Sequence, residues 1–533
     1  MPEYLSPGVY VEEFDSGAQP IEGVGTSTAG FLGETLRGPL YPKLVTGFEQ
    51  FKRIYGSFLD NNRFLAYAIN GFFANGGQRC YVGRVVGPLP DDAPETADGV
   101  ASAIHSSVRF DAVGPGAWGN RIAVKISAGG LQNEAASEPW DKVKLAVMYW
   151  DVAPPNDPFI DPTDPTLLTH PNRREPDRIE VYDNLTNDPT SVDYWEKRIN
   201  LVSDLIIINF TEGQPNPTSL PLTLLTGLPG VINAGIESLS PDLGSYTDSE
   251  DIELPDGRTL KTGLKGFEQV DEIAIVVAPN HHELGTNLTD VIVQHCERQG
   301  DRFAVFHANK STQPGAAGLR PPHDTSYAGF YYPWIRTFDI RTKQDLLIPP
   351  SGHVAGIYAK TDVERGVHKA PANVVISGAN GLEFVVTKGE HDILNPRGVN
   401  VIRSFPGRGI RVWGARTSSS NSLWKYINVR RLFLFLRESI DEGTQWVVFE
   451  PNDERLWARI RQTITQFLTT VWRDGALMGL TAEEAFFVKC DRTTMTQDDI
   501  DNGRLICIIG VAPVKPAEFV IFRITQFTSN ANS

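Results

Sequence analysis

Cysteine is scarce in this 533-residue chain: Cys80, Cys296, Cys490 and Cys507 stand far apart and form no CxxC pair. Reduced, buried thiols in a cytoplasmic protein are therefore the expectation. No apolar run approaches the ~20 residues that span a bilayer, so no direct membrane insertion is expected. Met1-Pro2-Glu3 begins neither a basic n-region nor an apolar h-region, so no secretory leader is expected. Positive charge is also short. Lys and Arg number 49 against 65 Asp and Glu, a net charge of −16, which argues against nucleic acid as a partner. It fits solubility at high copy number. GxxxxGK[ST], HExxH and GxSxG are all missing, so nucleotide hydrolysis is not expected, and no cofactor or metal is called for.

What is present is organised around Asn395–Val448. Two β-type runs, Val399–Arg403 and Ile410–Trp413, flank the turn Phe405-Pro406-Gly407-Arg408-Gly409. Ser and Asn at 418–422 offer helix N-caps, and a helical pattern follows with Leu423, Ile427, Leu432, Phe433 and Leu436 inward. Gly443 is the expected stop, and Trp446–Phe449 the next strand. No acid, base or nucleophile is set here for a substrate to reach. The linked strings NPRGVNVIR, GIRVWGART and WKYINVRRLF resemble the C-terminal core of contractile tail sheath proteins of phages and phage-like injection machines.

At this length two to four domains are expected, with an ordinary 41% apolar content. Residues 1–25 read as an N-terminal β-arm. Val9, Tyr10, Val11 and Phe14 form a short run bounded by Pro7-Gly8, Gly17 and Pro20, and a lone strand must pair with some sheet. An edge strand of its own domain is the plain alternative; PGVYVEE is similar to the opening of sheath proteins, which implies pairing with a neighbouring subunit. Residues 26–95 read as the first part of an α/β domain: strand Ala29–Gly33, a helix near Phe48–Tyr55 behind the capping-box spacing Thr46–Glu49, helix Phe64–Ala74, strand Cys80–Val86. FLGETLRGP, FKRIYG and FFANGGQRCYVGRV are also similar to the family.

Pro88, Pro90 and Pro94 with acidic neighbours mark a linker into 96–262, an inserted β-rich outer domain with an exposed Pro- and Asp-rich loop at 151–178. Strands within it are expected at Val108–Val113, Ile122–Ile126, Val143–Trp150, Ile179–Tyr182 and Leu205–Phe210, and a helix at Asp193–Val202. Residues 263–385 return to α/β: strand Ile273–Val277, helix Asn287–Gln299 and strand Phe303–Phe306 imply parallel pairing, with Tyr327–Trp334 and a helix over Ser351–Glu364 after them. Residues 386–515 read as an α+β core domain, with a helix over Asp453–Gly475, then Ala485–Lys489, the polar loop TTMTQDDIDNG and a strand over Arg504–Ala512. The alternating run Glu518–Phe527 within 516–533 reads as a C-terminal β-arm carrying Phe519, Ile521, Phe522 and Ile524. The resemblance implies that the central α/β domain is subtilisin-like, without an evident triad.

Chemical motifs weigh little. Gly114–Gly119 matches GxGxxG, but Asn120–Ile126 alternates like a strand, so a tight turn is the better reading. His281-His282-Glu283 reads as a polar loop after a strand; like His295-Cys296-Glu297, its adjacent side chains diverge. Ser351-Gly352-His353 and Ser377-Gly378 are nucleophile candidates in name only, with Ser351 fitting a helix cap. Arg430-Arg431 and Arg455, Arg459 and Arg461 read as a solvated helix face; the resemblance makes the latter three candidates for a tube-facing surface. It also implies a non-enzymatic sheath subunit: hexameric rings of this chain stacked as a helical sheath around an inner tube protein, with baseplate and terminal cap proteins and, where present, sheath paralogues as partners. A subtilisin-like hydrolase and a non-contractile shell are the competing classes.

Overall fold

The computed structural model describes residues 20–523 apart from 60–61, 95–97, 132–139, 156–157, 201, 212–217, 249–250 and 254–257. Two compact units emerge. One comprises Thr26–Lys360 with Pro371–Lys425; the other comprises the chain up to Gly25, Thr361–Ala370 and everything from Tyr426. Both strands of the organising stretch belong to the sheet of the first unit.

That sheet is built on six parallel strands. Across it they are Cys80–Arg84, Ala29–Gly33, Ile275–Val277, Phe303–His307, Ala328–Tyr332 and Val399–Phe405. Antiparallel strands finish the edges: Lys43–Val45 on one side, Gly409–Val412 and then Val374–Val375 on the other. AGFLG, FAVFH and AGFYY are buried at every position, as expected when both faces of a parallel sheet are covered and no alternation survives. The helices Leu65–Ala74 and Ser351–Arg365 approach closely through glycines. A Cβ added to Gly71 would lie 2.2 Å from the His353 ring, and one on Gly352 or Gly356 would lie 2.4 Å from the backbone of Ala68 or Phe72. Only glycine permits that approach. The helix Phe48–Tyr55 forms where expected, but Gly47 is its N-cap and makes no side-chain bond; Thr46 instead donates to Gln50 Oε1.

The insertion is a two-sheet sandwich. One antiparallel sheet runs Leu220–Leu224, Ile122–Ala128, Lys142–Tyr149, Arg178–Thr186; the other runs Gly230–Asn233, Ser102–His105, Val108–Ala112, Ile206–Phe210. Val143, Leu145, Val147 and Tyr149 alternate into the core with Phe110, Trp118 and Trp195. The GxGxxG segment passes through a 3-10 turn, Ala117–Arg121, straight into a strand, so the tight-turn reading holds. The 151–178 loop is more than an exposed excursion: Phe159 packs on Trp150, and Trp150 Nε1 donates to the Arg174 carbonyl at 3.1 Å, covering the outer face of one sheet. The insertion leaves and returns through touching segments, with Leu239 N–H donating to Pro88 O at 2.9 Å and Ile236 N–H to Gly99 O at 3.1 Å. Ion pairs also tie it to the host, Lys43 with Asp204 and Arg37 with Asp151. Asp204, 7% exposed at its side chain, pairs with Lys43 at 2.6 Å and Arg178 at 2.5 Å. Burial alone would raise its pKa, yet the two cations hold it below the ordinary value.

In the second unit, the helix Glu454–Arg473 buries Leu456, Ile460, Ile464, Phe467, Leu468 and Val471, the stripe read from the sequence. Asp453 caps it by accepting from Arg455 N and Leu456 N. Four details differ from expectation. The preceding helix begins at Ile427 behind Tyr426, with Leu423 outside it and 68% exposed and Phe433 only half-buried. Trp446–Phe449 is no strand: Gln445–Val447 is a 3-10 turn and Phe449 is fully exposed. Within the polar loop after Lys489, Gln497–Asp501 forms a short helix with a Thr496/Asp499 capping box. Strand Phe486–Lys489 pairs with Ile508–Val511 alone, a shorter ladder than the Arg504–Ala512 run suggested. Among the described residues no helix is long and apolar enough to cross a membrane.

Candidate assembly surfaces

The serine and histidine of the Ser351-Gly352-His353 string are buried. Ser351 is fully buried and His353 is 3% exposed; both sit on one helix two residues apart, and neither Ser351 Oγ nor His353 Nδ1 has a hydrogen-bond partner. The expected capping bond of Ser351 is therefore not made. Burial pushes His353 down to about 4, so it is neutral near pH 7. His281-His282-Glu283 is a short helix, not a polar loop. His281 is buried, and its Nε2 lies 3.1 Å from His307 Nδ1 beside Trp334, a packed imidazole pair at the carboxyl end of the parallel strands. Among the described residues no group of three His, Cys, Asp or Glu is arranged to hold a metal ion.

The second unit presents surfaces of another kind. Val9, Tyr10, Val11 and Phe14 lie outside the described residues, as does Ile524. Phe519, Ile521 and Phe522 are described, without strand structure, at 70, 80 and 84% exposure. Val520 is exposed beside them, and Tyr426 Oη donates to Glu518 Oε2 at 3.0 Å just before the run. On the hairpin, Phe487 and Ile508 are exposed as well.

The three arginines do not share one face. Arg455 and Arg459 are exposed one turn apart on the long helix, the Arg459 guanidinium 4.5 Å from the Trp446 ring centre and 3.9 Å from Glu450. Arg461 turns inward and donates to the carbonyl of Cys490. Arg431 is the clearest departure from a solvated face: its side chain is 3% exposed and makes a bidentate pair with Asp362 at 2.6 and 2.9 Å. Its spacing from Ile427 and Leu434 (i, i+4, i+7) was the available signal for burial.

With this geometry in view, the comparisons with known proteins converge. The phage tail sheath protein central domain matches residues 255–418, and the phage tail sheath C-terminal domain matches residues 419–527. The adjoining matches span just over half of the 533 residues. The tail sheath protein of Vibrio phage KVP40 is 27% identical over 212 residues, 39% of this chain and 31% of the phage protein. A putative prophage major tail sheath protein of Pseudomonas aeruginosa is 27% identical over 228 residues, 42% and 57% of the respective chains. The chain thus spans about a third to somewhat over half the length of such relatives. Its fold is similar to the contracted sheath of the PVC extracellular contractile injection system (22% identity, TM-score 0.57, 99% of each chain). It is also similar to a sheath tail protein of Listeria innocua (13% identity, TM-score 0.56, 93% of this chain and 96% of that one). Two consecutive sheath domains in the family's order, on a fold shared along nearly the whole chain, place this protein in the phage tail sheath family.

Proposed function

We propose that this chain is the structural sheath subunit of a contractile tail or injection system. It polymerises as stacked hexameric rings around an inner tube, between a baseplate and a terminal cap, and contracts to drive the tube through a target envelope. It assembles in the cytoplasm and then travels as part of the particle. The central α/β unit serves as a subtilisin-like scaffold that has no catalytic task. The observation that carries the reading is the solvent-exposed run Phe519-Val520-Ile521-Phe522 beyond the hairpin of a unit matching the sheath C-terminal domain. Four consecutive exposed apolar residues are unfavourable in water and complete themselves by adding a strand to another sheet. The N-terminal segment with Val9, Tyr10, Val11 and Phe14 acts as the matching arm, and Arg455 and Arg459 offer polar contacts to the tube that hold and then release.

No nucleotide is needed for such a stroke. Burying ~1,000 Å² of new interface favours a contracted lattice by roughly several kcal/mol per subunit after ordering costs, and many subunits multiply a small bias.

Deletion of residues 1–16 or of 517–533 tests the reading by negative-stain electron microscopy. Each truncated protein should keep its circular-dichroism spectrum and lose the ability to form a tubular lattice. Normal contractile sheaths from either truncation would sink the arm assignment. Tubes that form but show a single, non-contracting lattice would favour the shell reading.

A further inference from the structure

Two of the four cysteines, seventeen residues apart in sequence, become neighbours in space. In the antiparallel hairpin Phe486 faces Val511 and Lys489 faces Ile508, so the next pair in register is Cys490 opposite Cys507. Ala512 N–H donates to Ala485 O at 2.9 Å, which makes 485/512 a hydrogen-bonded pair. Alternation then makes 490/507 a non-hydrogen-bonded pair, the kind whose Cα atoms stand ~4.5 Å apart with side chains directed at each other. That separation falls within the range a disulfide spans. Both side chains belong to the inward face: Phe486, Val488 and Cys490 on one strand, Cys507, Ile509 and Val511 on the other, all pack into the same cluster. Each thiol shifts the ionisation of the other, as neighbouring side chains do. Cys490 is buried and Cys507 half-buried, so Cys507 is the more accessible of the two residues. Cys80 and Cys296 are buried elsewhere, in the α/β unit.

We propose that Cys490 and Cys507 are a dithiol site that closes to an intrachain disulfide at the loop end of this hairpin when the protein meets a low-molecular-weight disulfide. The Cys507 thiolate attacks one sulfur of that disulfide and displaces a thiol. The Cys490 thiolate then attacks Cys507 Sγ and displaces the second. One S–S bond forms and one breaks, and the two protons and two electrons leave on two small thiols. Burial pushes Cys507 up to about 12, so the reaction is slow at neutral pH and accelerates about tenfold per pH unit below that value. The bond would bind the 491–506 loop, now held across its mouth by Thr494 Oγ1 donating to Ile506 O at 2.9 Å, to the end of the sheet.

The test uses the full-length protein incubated with oxidised glutathione at pH 8.5, quenched with acid, denatured and alkylated with a maleimide. Alkylatable thiols should fall from four to two, with Cys490 and Cys507 peptides joined and two hydrogens lighter. A C80S/C296S variant should lose both remaining thiols, whereas C507S should show no Cys490 bond to another cysteine. Four free thiols after oxidation, a glutathione adduct at Cys507 without the bond to Cys490, or pairing through Cys80 or Cys296 would each overturn the proposal. The count on the unmutated chain does not depend on any variant folding.

Discussion

The α/β unit and the C-terminal unit solve the burial problem differently. In the first, every residue of Ala29–Gly33, Phe303–His307 and Ala328–Tyr332 is buried within the same unit. The second has a closed core too, centred on Leu432, Ile460 and Leu468, yet it leaves Phe487, Ile508 and the run Phe519–Phe522 open to water. The apolar residues of those three strands fill their own unit's core, whereas the exposed set in the second unit fills none. Residue type alone does not distinguish the two uses, since Phe serves in both.

One substitution made in both regions sharpens this contrast most. Phe303→Ala, in a fully buried strand, should cost about 3–5 kcal/mol by urea denaturation. Phe522→Ala, 84% exposed, should change stability by less than about 0.5 kcal/mol while weakening lattice formation. A large loss from Phe522→Ala would mean that the tail is part of the monomer's own core, and the contrast would break. The closed half of the second unit is tested by Asp362→Ala, which removes the carboxylate paired with buried Arg431. A loss of about 3–5 kcal/mol is expected, with most of it recovered in an Asp362→Leu/Arg431→Met double variant.

A smaller effect comes from acid. Burial pushes His281, His295 and His353, all in the α/β unit, down to about 3, 3 and 4. Below pH 6.5 the unfolded chain binds protons these rings refuse. Stability should therefore fall as pH drops from about 6.5 towards 4, by about 1.4 kcal/mol per pH unit for each histidine, and be fully present above 6.5. Glu34 tilts the other way: burial raises it to about 7, and its contribution is lost as pH climbs from about 4.5 through 7. His295→Gln should remove one histidine's share of the acid slope in the urea midpoint; an unchanged slope would contradict the assignment. The smallest effect is that of Arg459→Ala, a half-exposed ion pair and ring contact expected to shift stability by under about 0.5 kcal/mol.

Much of the architecture was legible because its signals are local. Gly443 ended a helix, Asn75 closed another, and the apolar spacing from Leu456 to Val471 gave the buried face of the long helix directly. The misreadings cluster where a partner distant in sequence decides. Arg431 looks like a surface residue until Asp362 arrives from sixty-nine positions away. His281 looks like a loop residue until His307 packs on it. Trp446 and Phe449 have strand propensity, yet a 3-10 turn and a left-handed Phe449 (φ 68°) take the segment elsewhere. Phe519, Ile521 and Phe522 read as a strand from their β-prone side chains, yet the segment they occupy has no strand structure.

The narrow neck of the inserted sandwich makes the subunit modular. Pro88–Gly99 goes out and Ile236–Leu239 comes back side by side, so the host sheet sees the whole insertion as one short stem. A replacement domain with adjacent termini would fit the same stem, provided that it relieves Lys43 and Arg37 of their present partners Asp204 and Asp151. The position is thus a grafting point, where an unrelated domain or a ligand-reading module can be carried on the same scaffold.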